Sequence, residues 1–530
     1  MQNRKREKYK VFGEIYPICS KLVDKDKLLH LVDRLGSLEF FPDILKDVAE
    51  EMQLPQYLGE LARLEFYVST LKADATRVPA YSAMLAVNPT LQLFENSWKN
   101  LSCLFGAEET PLEPVKGAES IIIWRHPASS MIQARPVTSE DLLVLKMALE
   151  ELSTREVAQH GNIHVAVVDI AVIHALNDGI VTGPESRIKR ECTASAFTGI
   201  DPKFFAARIF TLQWHITQAC DLHCRHCYDR SQYKSLSFQQ EIAILDDLEE
   251  FCISHNVHGQ VTFTGGNPLL HPYFEQLYKE ASDRGLSTAI LGNPASRAQI
   301  ERLKTVQPPA FYQVSLEGLE DHNDYMRGEG HFKKVLAFLD VLRELNVYSM
   351  VMLTLTKANM DQVLPLAEIL RDRVDLFTFN RLSLIGEGAN LVSVEPGKFP
   401  SFLKDYAEAV ASNPCLGVKD NLLNVIYQKQ KHPLFGGCTG YGCGAAFNFL
   451  ALLADGTVHA CRKFPSPLGS MLEQSFNDIY NSSGAKRYRQ GAEECSNCRL
   501  NPVCRGCLAV SYGQGRDIFR QKDPYCFFEG

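Results

Sequence analysis

A short apolar stretch followed by three cysteines decides the fold of this chain: TLQWHITQACDLHCRHCYDRS, residues 211–231. The stretch TLQWHIT has the length and apolar content of a β-strand. The loop directly after it holds three cysteines in a C-x3-C-x2-C pattern: Cys220, Cys224 and Cys227. Iron–sulfur cubanes normally take four cysteine ligands, so three thiolates leave one iron open to a ligand from outside the protein. A zinc knuckle completed by His223 or His226 is the alternative, because zinc sites usually have four protein ligands.

The same stretch opens an alternation of apolar strands with amphipathic helices. Five further strand-like stretches follow it: QVTFT, STAILG, FYQVSLEG, SMVMLTLT and LFTFNRLSL. Each is separated from the next by a segment with apolar positions at three-to-four spacing, which is typical of a helix. The pattern predicts an α/β fold in which residues 208–397 form a partial (βα)6 TIM-like barrel. Because active sites of such barrels lie at the carboxyl ends of the strands, the loops after the strands are the candidate site.

The cysteine loop at a strand end resembles the radical S-adenosylmethionine (SAM) superfamily. The resemblance implies that Cys220, Cys224 and Cys227 hold a [4Fe–4S] cluster whose open iron binds SAM. One electron from that cluster then cleaves the sulfonium and gives a 5′-deoxyadenosyl radical.

The next strand end, QVTFTGGNP, stands where the superfamily carries a GGEP element. Its four last residues are Gly265, Gly266, Asn267 and Pro268, which the resemblance places at the cofactor. Glycines allow bare backbone to approach a ligand. Asn267 replaces the acidic residue of the family, which weakens any charge contact to the SAM ammonium and keeps the backbone contact. In isolation the same four residues indicate only a loop.

The fourth strand continues into QVSLEGLEDHNDYMRGEGHF, residues 313–332. This stretch resembles the "SLDG…RG…F" segment of peptide-modifying radical SAM enzymes. The resemblance implies that Ser315 and Glu317 lie near the SAM ribose and that Arg327 pairs with its carboxylate as a fork donor. Ordinary loop polarity is the alternative explanation.

Eight of the 16 cysteines lie in the last hundred residues, where the strand–helix alternation has stopped. They are Cys438, Cys443, Cys461, Cys495, Cys498, Cys504, Cys507 and Cys526. The pattern resembles the SPASM domain, which we expect over 398–530 with two auxiliary [4Fe–4S] clusters. The family's interleaved ligation implies Cys438, Cys443, Cys461 and Cys507 for the first cluster, and Cys495, Cys498, Cys504 and Cys526 for the second.

One spacing departs from the family. The last pair, Cys504 and Cys507, is separated by two residues where the family usually has three, and this bears on which of the two belongs to which cluster. Paired C-x2-C motifs are also zinc-ribbon spacing, so a zinc-ribbon site is the alternative. The five remaining cysteines are isolated in sequence and we interpret them as buried small hydrophobic residues: Cys19, Cys103, Cys192, Cys252 and Cys415.

Composition narrows the class of protein. The chain of 530 residues is 45% apolar and 22% charged, which is ordinary for a globular protein of two to four domains. A net charge of −8 argues against nucleic acid as the main partner. The first residues show neither a signal peptide nor a membrane-spanning stretch, so we expect a cytoplasmic protein with no membrane partner.

Two regions precede the barrel. Residues 1–112 have apolar positions at helical spacing, as in LLHLVDRL, and predict a mainly helical region with no catalytic motif. Beyond a linker at Pro111–Pro114, the stretches SIIIWRHP and SMIQARPV predict two strands, and three helix-like stretches follow, the first capped by Ser139. Residues 117–185 therefore predict a small winged-helix-like module. It resembles the recognition element that grips a precursor leader as an added strand; an ordinary helical domain is the alternative.

The combined resemblance predicts an enzyme that modifies a ribosomally made peptide. Sulfatase maturases have similar cluster spacing, but their catalytic Asp after the third auxiliary cysteine is absent here, since Arg462 and Lys463 follow Cys461. The length and both ends of the chain resemble maturases of selenobiotic-type peptides, which would imply a thioether at Cys or Sec. The implied partners are a precursor peptide and a flavodoxin- or ferredoxin-type electron donor. The sequence assigns no catalytic acid or base. A small-molecule radical SAM oxidoreductase and a non-catalytic iron–sulfur scaffold are the alternatives.

Overall fold

The computed structural model describes residues 2–74, 77–105, 112–191, 197, 199–231 and 233–529, without the side chains of residues 2–6 and 46. Pro111 and Cys192, which figure in the sequence analysis, lie outside the described residues. The chain forms two compact units. The first comprises Met1–Gly161 and Val168–Glu185, and the second comprises Asn162–Val167 and Ser186–Gly530.

The amino-terminal part is helical, as its periodicity predicts. It contains α1 (Gln2–Ile15), α2 (Cys19–Leu22), α3 (Lys25–Arg34), α4 (Phe41–Val48) and α5 (Leu58–Ala73). The strands that follow are β1 (Ala86–Val87), β2 (Gln92–Lys99), β3 (Val115–Arg125), β4 (Ile132–Pro136) and β5 (Val181–Thr182). Between β4 and β5 lie α6 (Ser139–Glu150), α7 (Thr154–Gly161) and α8 (Val165–Asp178). The two strands and three helices predicted after residue 117 are confirmed.

A third strand extends the predicted pair. Strand β2 pairs antiparallel with β3, and β3 with β4, in a sheet of order β2-β3-β4. The sequence analysis missed β2 because QLFENSWK contains no β-branched residue and alternates poorly. The cap of α6 is Thr138, one residue before the predicted Ser139. Its hydroxyl accepts from the Asp141 N–H, and the Asp141 carboxylate accepts from the Thr138 N–H, which closes a capping box.

Strand β3 is buried on both faces, which explains its unbroken apolar run. Ile121 and Ile123 belong to the core formed with the amino-terminal helices. Ile122 and Trp124 belong to a separate core with residues of α6 and α8. Because successive side chains of a strand point to opposite faces, one strand serves both cores. Residues 1–112 and 117–185, which the sequence predicts as separate regions, therefore share a sheet within one compact unit.

The second unit contains the predicted barrel. Its six strands run parallel in the order of the chain: β6 (Ile209–Thr217), β7 (His258–Gly265), β8 (Ser287–Leu291), β9 (Tyr312–Ser315), β10 (Ser349–Leu355) and β11 (Leu376–Arg381). The helices between them are α9 (Phe238–His255), α10 (Phe274–Asp283), α11 (Arg297–Val306), α12 (Glu320–Arg327), α13 (His331–Glu344) and α14 (Val363–Leu370). The open sheet confirms the α/β prediction of a partial TIM-like barrel. None of the helices in the described ranges is long and apolar enough to cross a membrane.

The cysteine-rich region continues the barrel sheet. Strand β12 (Phe449–Leu452) pairs parallel with β6, and β13 (Thr457–His459) and β14 (Pro467–Ser470) follow antiparallel. Its helices are α15 (Phe399–Val410), α16 (Leu423–Gln430), α17 (Phe476–Asn481), α18 (Ser483–Gln490) and α19 (Leu508–Gly513). The two regions therefore share one nine-stranded sheet and one compact unit.

A buried ion network joins the last barrel strand to the cysteine-rich region. Arg381, at the end of β11, donates to both carboxylate oxygens of Asp523 at 2.9 and 2.7 Å and to Asp420 at 2.7 Å. The Asp523 carboxylate also accepts from the N–H groups of Cys507 and Tyr525. One carboxylate thus fixes the position of two cysteine-bearing segments relative to the barrel.

We expect Asp523→Ala to destabilise the protein strongly. Breaking a buried ion pair typically costs about 3–5 kcal/mol, and here Arg381 keeps only Asp420 while the N–H groups of Cys507 and Tyr525 lose their acceptor. The urea concentration at the unfolding midpoint should fall accordingly. Asp405→Ala removes an exposed carboxylate of α15 and is the matched control, with an expected change within about 0.5 kcal/mol. Equal midpoints for the two variants would contradict this role of Asp523.

Candidate active site

The strand ends of the barrel open into a cavity of about 460 Å³, within the range of about 300–1,000 Å³ usual for small-molecule sites. All three cysteines of the loop after β6 line it, together with four other predicted site residues: Gly265, Gly266, Ser315 and Arg327. Cys220 is exposed and Cys224 and Cys227 are half-buried. Three thiols and a cavity of this size fit a cluster with a ligand on its open iron.

Gly265 and Gly266 hold the cysteine loop by direct backbone contact. The N–H of Gly266 donates to the Thr217 carbonyl at 2.8 Å, and the next N–H donates to the Ala219 carbonyl at 2.7 Å. A Cβ at Gly265 would lie 2.3 Å from the Thr217 oxygen, and one at Gly266 would lie 2.2 Å from the Ala219 oxygen. The glycines therefore allow the end of β7 to pack against the segment that leads into Cys220, as well as lining the cavity.

Asn267 does not line the cavity but binds an acidic neighbour of the first cysteine. Its side-chain amide donates to the Asp221 carboxylate at 3.1 Å, and Asn293 donates to the same oxygen at 2.6 Å. The Asn293 amide also lies 3.8 Å from the Cys220 sulfur. Pro268 is buried at the start of a short 3-10 helix capped by Asn267. The polar role of Asn267 is thus exercised within the chain, on Asp221.

Arg327 and Glu317 form a buried pair against the second cysteine. The Arg327 guanidinium donates twice to one Glu317 oxygen, at 3.0 and 2.6 Å, while the other oxygen accepts from the Thr354 N–H at 2.8 Å. The remaining Arg327 nitrogen lies 3.5 Å from the Cys224 sulfur. Glu317 is 1% exposed and is not among the residues that line the cavity.

The positive charge of Arg327 favours the ionised form of Glu317. Burial acts to raise the pKa of Glu317, but its neighbours His226 and Arg327 and the Thr354 N–H outweigh burial and lower that pKa. Burial lowers the pKa of His226, which leaves Arg327 as the cation facing Glu317. Because folding lowers the carboxyl pKa, the pair contributes fully above the unfolded value of about 4.3, and its contribution is lost as the pH falls through the lower folded value.

Tyr228 and His215 form a second buried polar pair at the cavity. Their hydroxyl oxygen and Nε2 lie 3.4 Å apart. Burial raises the pKa of Tyr228 to about 12 and lowers the pKa of His215 to about 3. Both side chains are therefore neutral at pH 7, with the phenol as donor and the imidazole as acceptor.

The four cysteines expected for the first auxiliary cluster line one cavity of about 110 Å³: Cys438, Cys443, Cys461 and Cys507. Burial raises the pKa of Cys461 to about 11 and that of Cys507 to about 12. These thiols are therefore protonated unless a metal centre displaces the proton. Arg190 supports this loop, because its guanidinium donates to the carbonyls of Tyr441 and Cys443 and lies 3.8 Å from the centre of the Phe447 ring.

The remaining four cysteines are neighbours of one another. Burial raises the pKa of Cys495 to about 11, and the thiols of Cys498 and Cys526 add to the shift. Cys504 is buried, and Cys526 and Cys495 act on its pKa in the same direction. In the described part of the chain, no three His, Cys, Asp or Glu side chains converge closely enough to hold a single metal ion. The two groups of thiols instead have the composition that two four-cysteine clusters require.

Several residues of the site were missed by the sequence analysis. Asn293 follows β8 in LGNPAS, and this strand-end position was the available signal. Asp221 lies between two predicted cluster ligands and was not singled out. The pairing of Arg327 with Glu317 had no sequence signal beyond opposite charge ten residues apart.

The chain matches two protein families. The radical SAM superfamily matches residues 214–370, and SPASM, an iron–sulfur cluster-binding domain, matches residues 443–508. The first match contains the cysteine loop and the ends of β6 to β10, whereas the end of β11, which also lines the cavity, lies beyond it. The second contains six of the eight carboxyl-terminal cysteines, and Cys438 and Cys526 lie outside it.

Relatives of known role are distant. The AdoMet-dependent heme synthase of Methanosarcina barkeri is 23% identical over 340 residues, which cover 60% of this chain and 96% of that protein. The sporulation killing factor maturation protein SkfB of Bacillus subtilis is 27% identical over 308 residues, covering 57% and 70%. Among solved structures, SuiB of Streptococcus suis bound to S-adenosylmethionine aligns with a TM-score of 0.50 at 15% identity, over 77% of this chain and 97% of that one. That likeness is one of fold.

A partial parallel barrel with three cysteines after its first strand, extended by a cysteine-rich sheet, defines an iron–sulfur enzyme. With both families matched at these positions, the chain carries a radical SAM domain and a SPASM domain.

We expect strong coupling between Glu317 and Arg327 in unfolding experiments. Glu317→Gln and Arg327→Met should each lower the free energy of unfolding by about 3–5 kcal/mol, because each leaves a buried charge unpaired. The double variant should lose less than the sum, with a coupling energy of about 1–3 kcal/mol. Urea unfolding of the four proteins measures the cycle. Additive losses would show that the two side chains do not act as a pair.

Proposed function

We propose that this radical SAM enzyme modifies a ribosomally made peptide and forms a thioether at a Cys or Sec residue. The observation that carries the proposal is the three-stranded sheet β2-β3-β4 of the first unit, which has one open edge among the described residues and is followed by three helices. The names of SkfB, a maturation protein, and of SuiB, solved with a precursor peptide SuiA, support a peptide substrate.

The proposed cofactors are SAM and three [4Fe–4S] clusters. The cluster at Cys220, Cys224 and Cys227, once loaded with SAM, supplies the 5′-deoxyadenosyl radical. Gly265, Gly266 and Ser315 would bound the SAM space, with Arg327 facing it from the Cys224 side. The residues that contact SAM would be held in place by Asn267, Pro268 and Glu317, which would not contact SAM themselves. We expect the reaction in the cytoplasm, with a flavodoxin- or ferredoxin-type protein as electron donor.

The edge of β2 is already covered. The Glu95 carbonyl accepts from Arg63, and the Ser97 N–H donates to Glu60. Both partners belong to α5, so the side chains of one helix satisfy outward backbone groups of the strand. A covered edge is closed to an added strand.

The edge of β4 is open. The Val137 N–H donates to the Ser120 carbonyl, and the His126 N–H donates to the Met131 carbonyl. Since inward and outward groups alternate along an antiparallel strand, residues 131, 133, 135 and 137 face β3 and Ala134 faces outward. In the described residues no strand lies beyond β4. A leader peptide added there would gain main-chain hydrogen bonds, while its alternate side chains would provide specificity.

A small-molecule reaction is the second candidate. It is favoured by the heme synthase of M. barkeri, whose length is almost wholly covered by the match. Such an enzyme would use the auxiliary clusters for electron transfer and would need no leader. A co-purifying or added porphyrin that is consumed with SAM, while candidate peptides stay unmodified, would support it.

Anaerobically reconstituted protein should hold about twelve iron atoms, since three cubanes contribute four each. Replacing Cys220, Cys224 and Cys227 together by Ala should leave about eight and abolish SAM cleavage. Iron and zinc analysis with an assay for 5′-deoxyadenosine measures both. Iron near four in the intact protein, with zinc making up the difference, would exclude auxiliary clusters.

Ala134→Pro should impair modification of a co-expressed candidate precursor peptide. Proline removes the outward N–H of β4 and leaves the hydrogen bonds to β3 intact. An unmade hydrogen bond costs about 1–3 kcal/mol, so turnover at low peptide concentration should fall about tenfold. Mass spectrometry of the peptide follows the product, and 5′-deoxyadenosine formed without peptide should be unchanged.

Ala134→Val is the matched control because it keeps the N–H and approximates the bulk of proline. Normal modification by Ala134→Pro would remove the edge of β4 from leader binding. A truncation test should end at residue 185, since residues beyond it belong to the second unit. Removing residues 1–200 would also remove Arg190, which supports the Cys443 loop.

A further inference from the structure

Two cations stand between the active-site cavity and the first auxiliary cavity. Arg462 and Lys463 follow Cys461 and line both cavities. Arg462 also lines a third cavity of about 330 Å³ inside the barrel.

The two cations have different surroundings. Lys463 acts on the pKa of Cys461 and Cys507, so it lies beside thiols of the first auxiliary group. Arg462 acts on the pKa of His215 and Tyr228 and donates to the Thr264 hydroxyl at 3.2 Å. Arg462 therefore lies on the side of the active-site cavity.

Arg462 differs from the other arginines of the cavity in having no carboxylate partner. Arg327 pairs with Glu317 at 2.6 Å, Arg381 pairs with Asp420 and Asp523, and Arg230 lies 3.9 Å from Glu387. Among the described residues, no carboxylate lies within 4.0 Å of the Arg462 guanidinium.

The carboxylate that lines the active-site cavity together with Arg462 is engaged elsewhere. Asp229 lines the same cavity, but its carboxylate accepts from Gln218, Tyr233 and the Ser231 N–H. With one Arg462 nitrogen on Thr264, the Nε and the second terminal nitrogen are the donors left. A planar fork of this kind matches a carboxylate in bidentate geometry.

We propose that Arg462 binds a carboxylate of the peptide substrate inside the active-site cavity, so that the modified residue or its neighbour is acidic. This inference rests on the proposed function. The carboxylate can belong to an Asp or Glu side chain or to the end of the peptide chain. Since a fixed charge at the reacting residue selects which hydrogen faces the radical, Arg462 would determine the site of modification.

Binding of two short probes to the holoenzyme tests the proposal. The probes are acetyl-Gly-Asp-Gly-amide and acetyl-Gly-Asn-Gly-amide, with S-adenosylhomocysteine in place of SAM to prevent cleavage and with the clusters reduced. Paramagnetic relaxation of the probe side-chain protons reports both affinity and proximity to a cluster. The aspartyl probe should bind about tenfold more tightly or better, as expected of a charge-assisted bidentate pair.

Substitution of Arg462 provides the second arm. Arg462→Gln should reduce the preference for the aspartyl probe to less than about twofold, and Arg462→Lys should keep part of it because the charge remains without the fork. Arg516→Gln removes an exposed arginine outside the cavity and should keep the full preference. Iron content and the spectra of the reduced clusters establish that each variant is loaded.

The outcomes are distinct. Equal binding of the two probes by the wild-type protein, no binding of the aspartyl probe, or a preference retained by Arg462→Gln would each overturn the proposal. Acetyl-Gly-Gly-Gly with a free carboxyl end, bound more tightly than the aspartyl probe, would identify the chain end as the source. A preference that depends on Arg462, together with precursor that stays unmodified, would retain the carboxylate site and reject the peptide-modifying function.

Discussion

The contact between Arg381 and Asp523 is the constraint on which the arrangement of the metal sites depends. Arg381 ends the last barrel strand, and Asp523 holds the backbone on which Cys507 lies as well as the turn before Cys526. Two buried charges are stable there only because each has its partners in place. One carboxylate therefore fixes the positions of the barrel and of both auxiliary cysteine groups relative to each other. At the opposite edge of the barrel, the pairing of β12 with β6 also holds the cysteine-rich region in place.

The cysteine groups add a second requirement. Burial raises the pKa of Cys461 and Cys507 far above neutrality, so the unloaded cavity contains neutral thiols. Binding of the clusters must release the thiol protons and form iron–sulfur bonds across the cavity. Assembly of the clusters is therefore coupled to the final packing of the region. Arg190 and Asp523 hold the loops before that step, through backbone atoms rather than through the sulfurs.

Much of the barrel could be predicted from the sequence, because strand and helix periods are both strong between residues 208 and 397. Strand β2 could not be predicted, because its apolar residues do not alternate along the strand and instead occur where the strand packs against α5. Within the site, cysteine spacing located the cavity, and Gly265 and Gly266 were found by position. Their tightest contact is to the Thr217–Ala219 backbone, which no single stretch of sequence reveals. The partners of Asn267 and Arg327 also depend on the tertiary fold. Asp221, the partner of Asn267, lies 46 residues away in the sequence. Arg327 pairs with Glu317 because both side chains are buried together.

The alternation along the barrel strands explains why a charged side chain can stand above their centre. In β6, Leu212 and Trp214 belong to the core between strand and helices, whereas Thr211 and Gln213 line the cavity inside the barrel. Val261 and Phe263 alternate in the same way with Gln260 and Thr262 in β7. Closed TIM barrels fill this space with branched apolar side chains, where an arginine without a partner would be strongly disfavoured. The Gln and Thr side chains of this interior instead give Arg462 polar neighbours, and Thr264, the next inward residue of β7, accepts a hydrogen bond from one of its nitrogens. The partial barrel thus places polar side chains beside the arginine that we propose to bind a carboxylate.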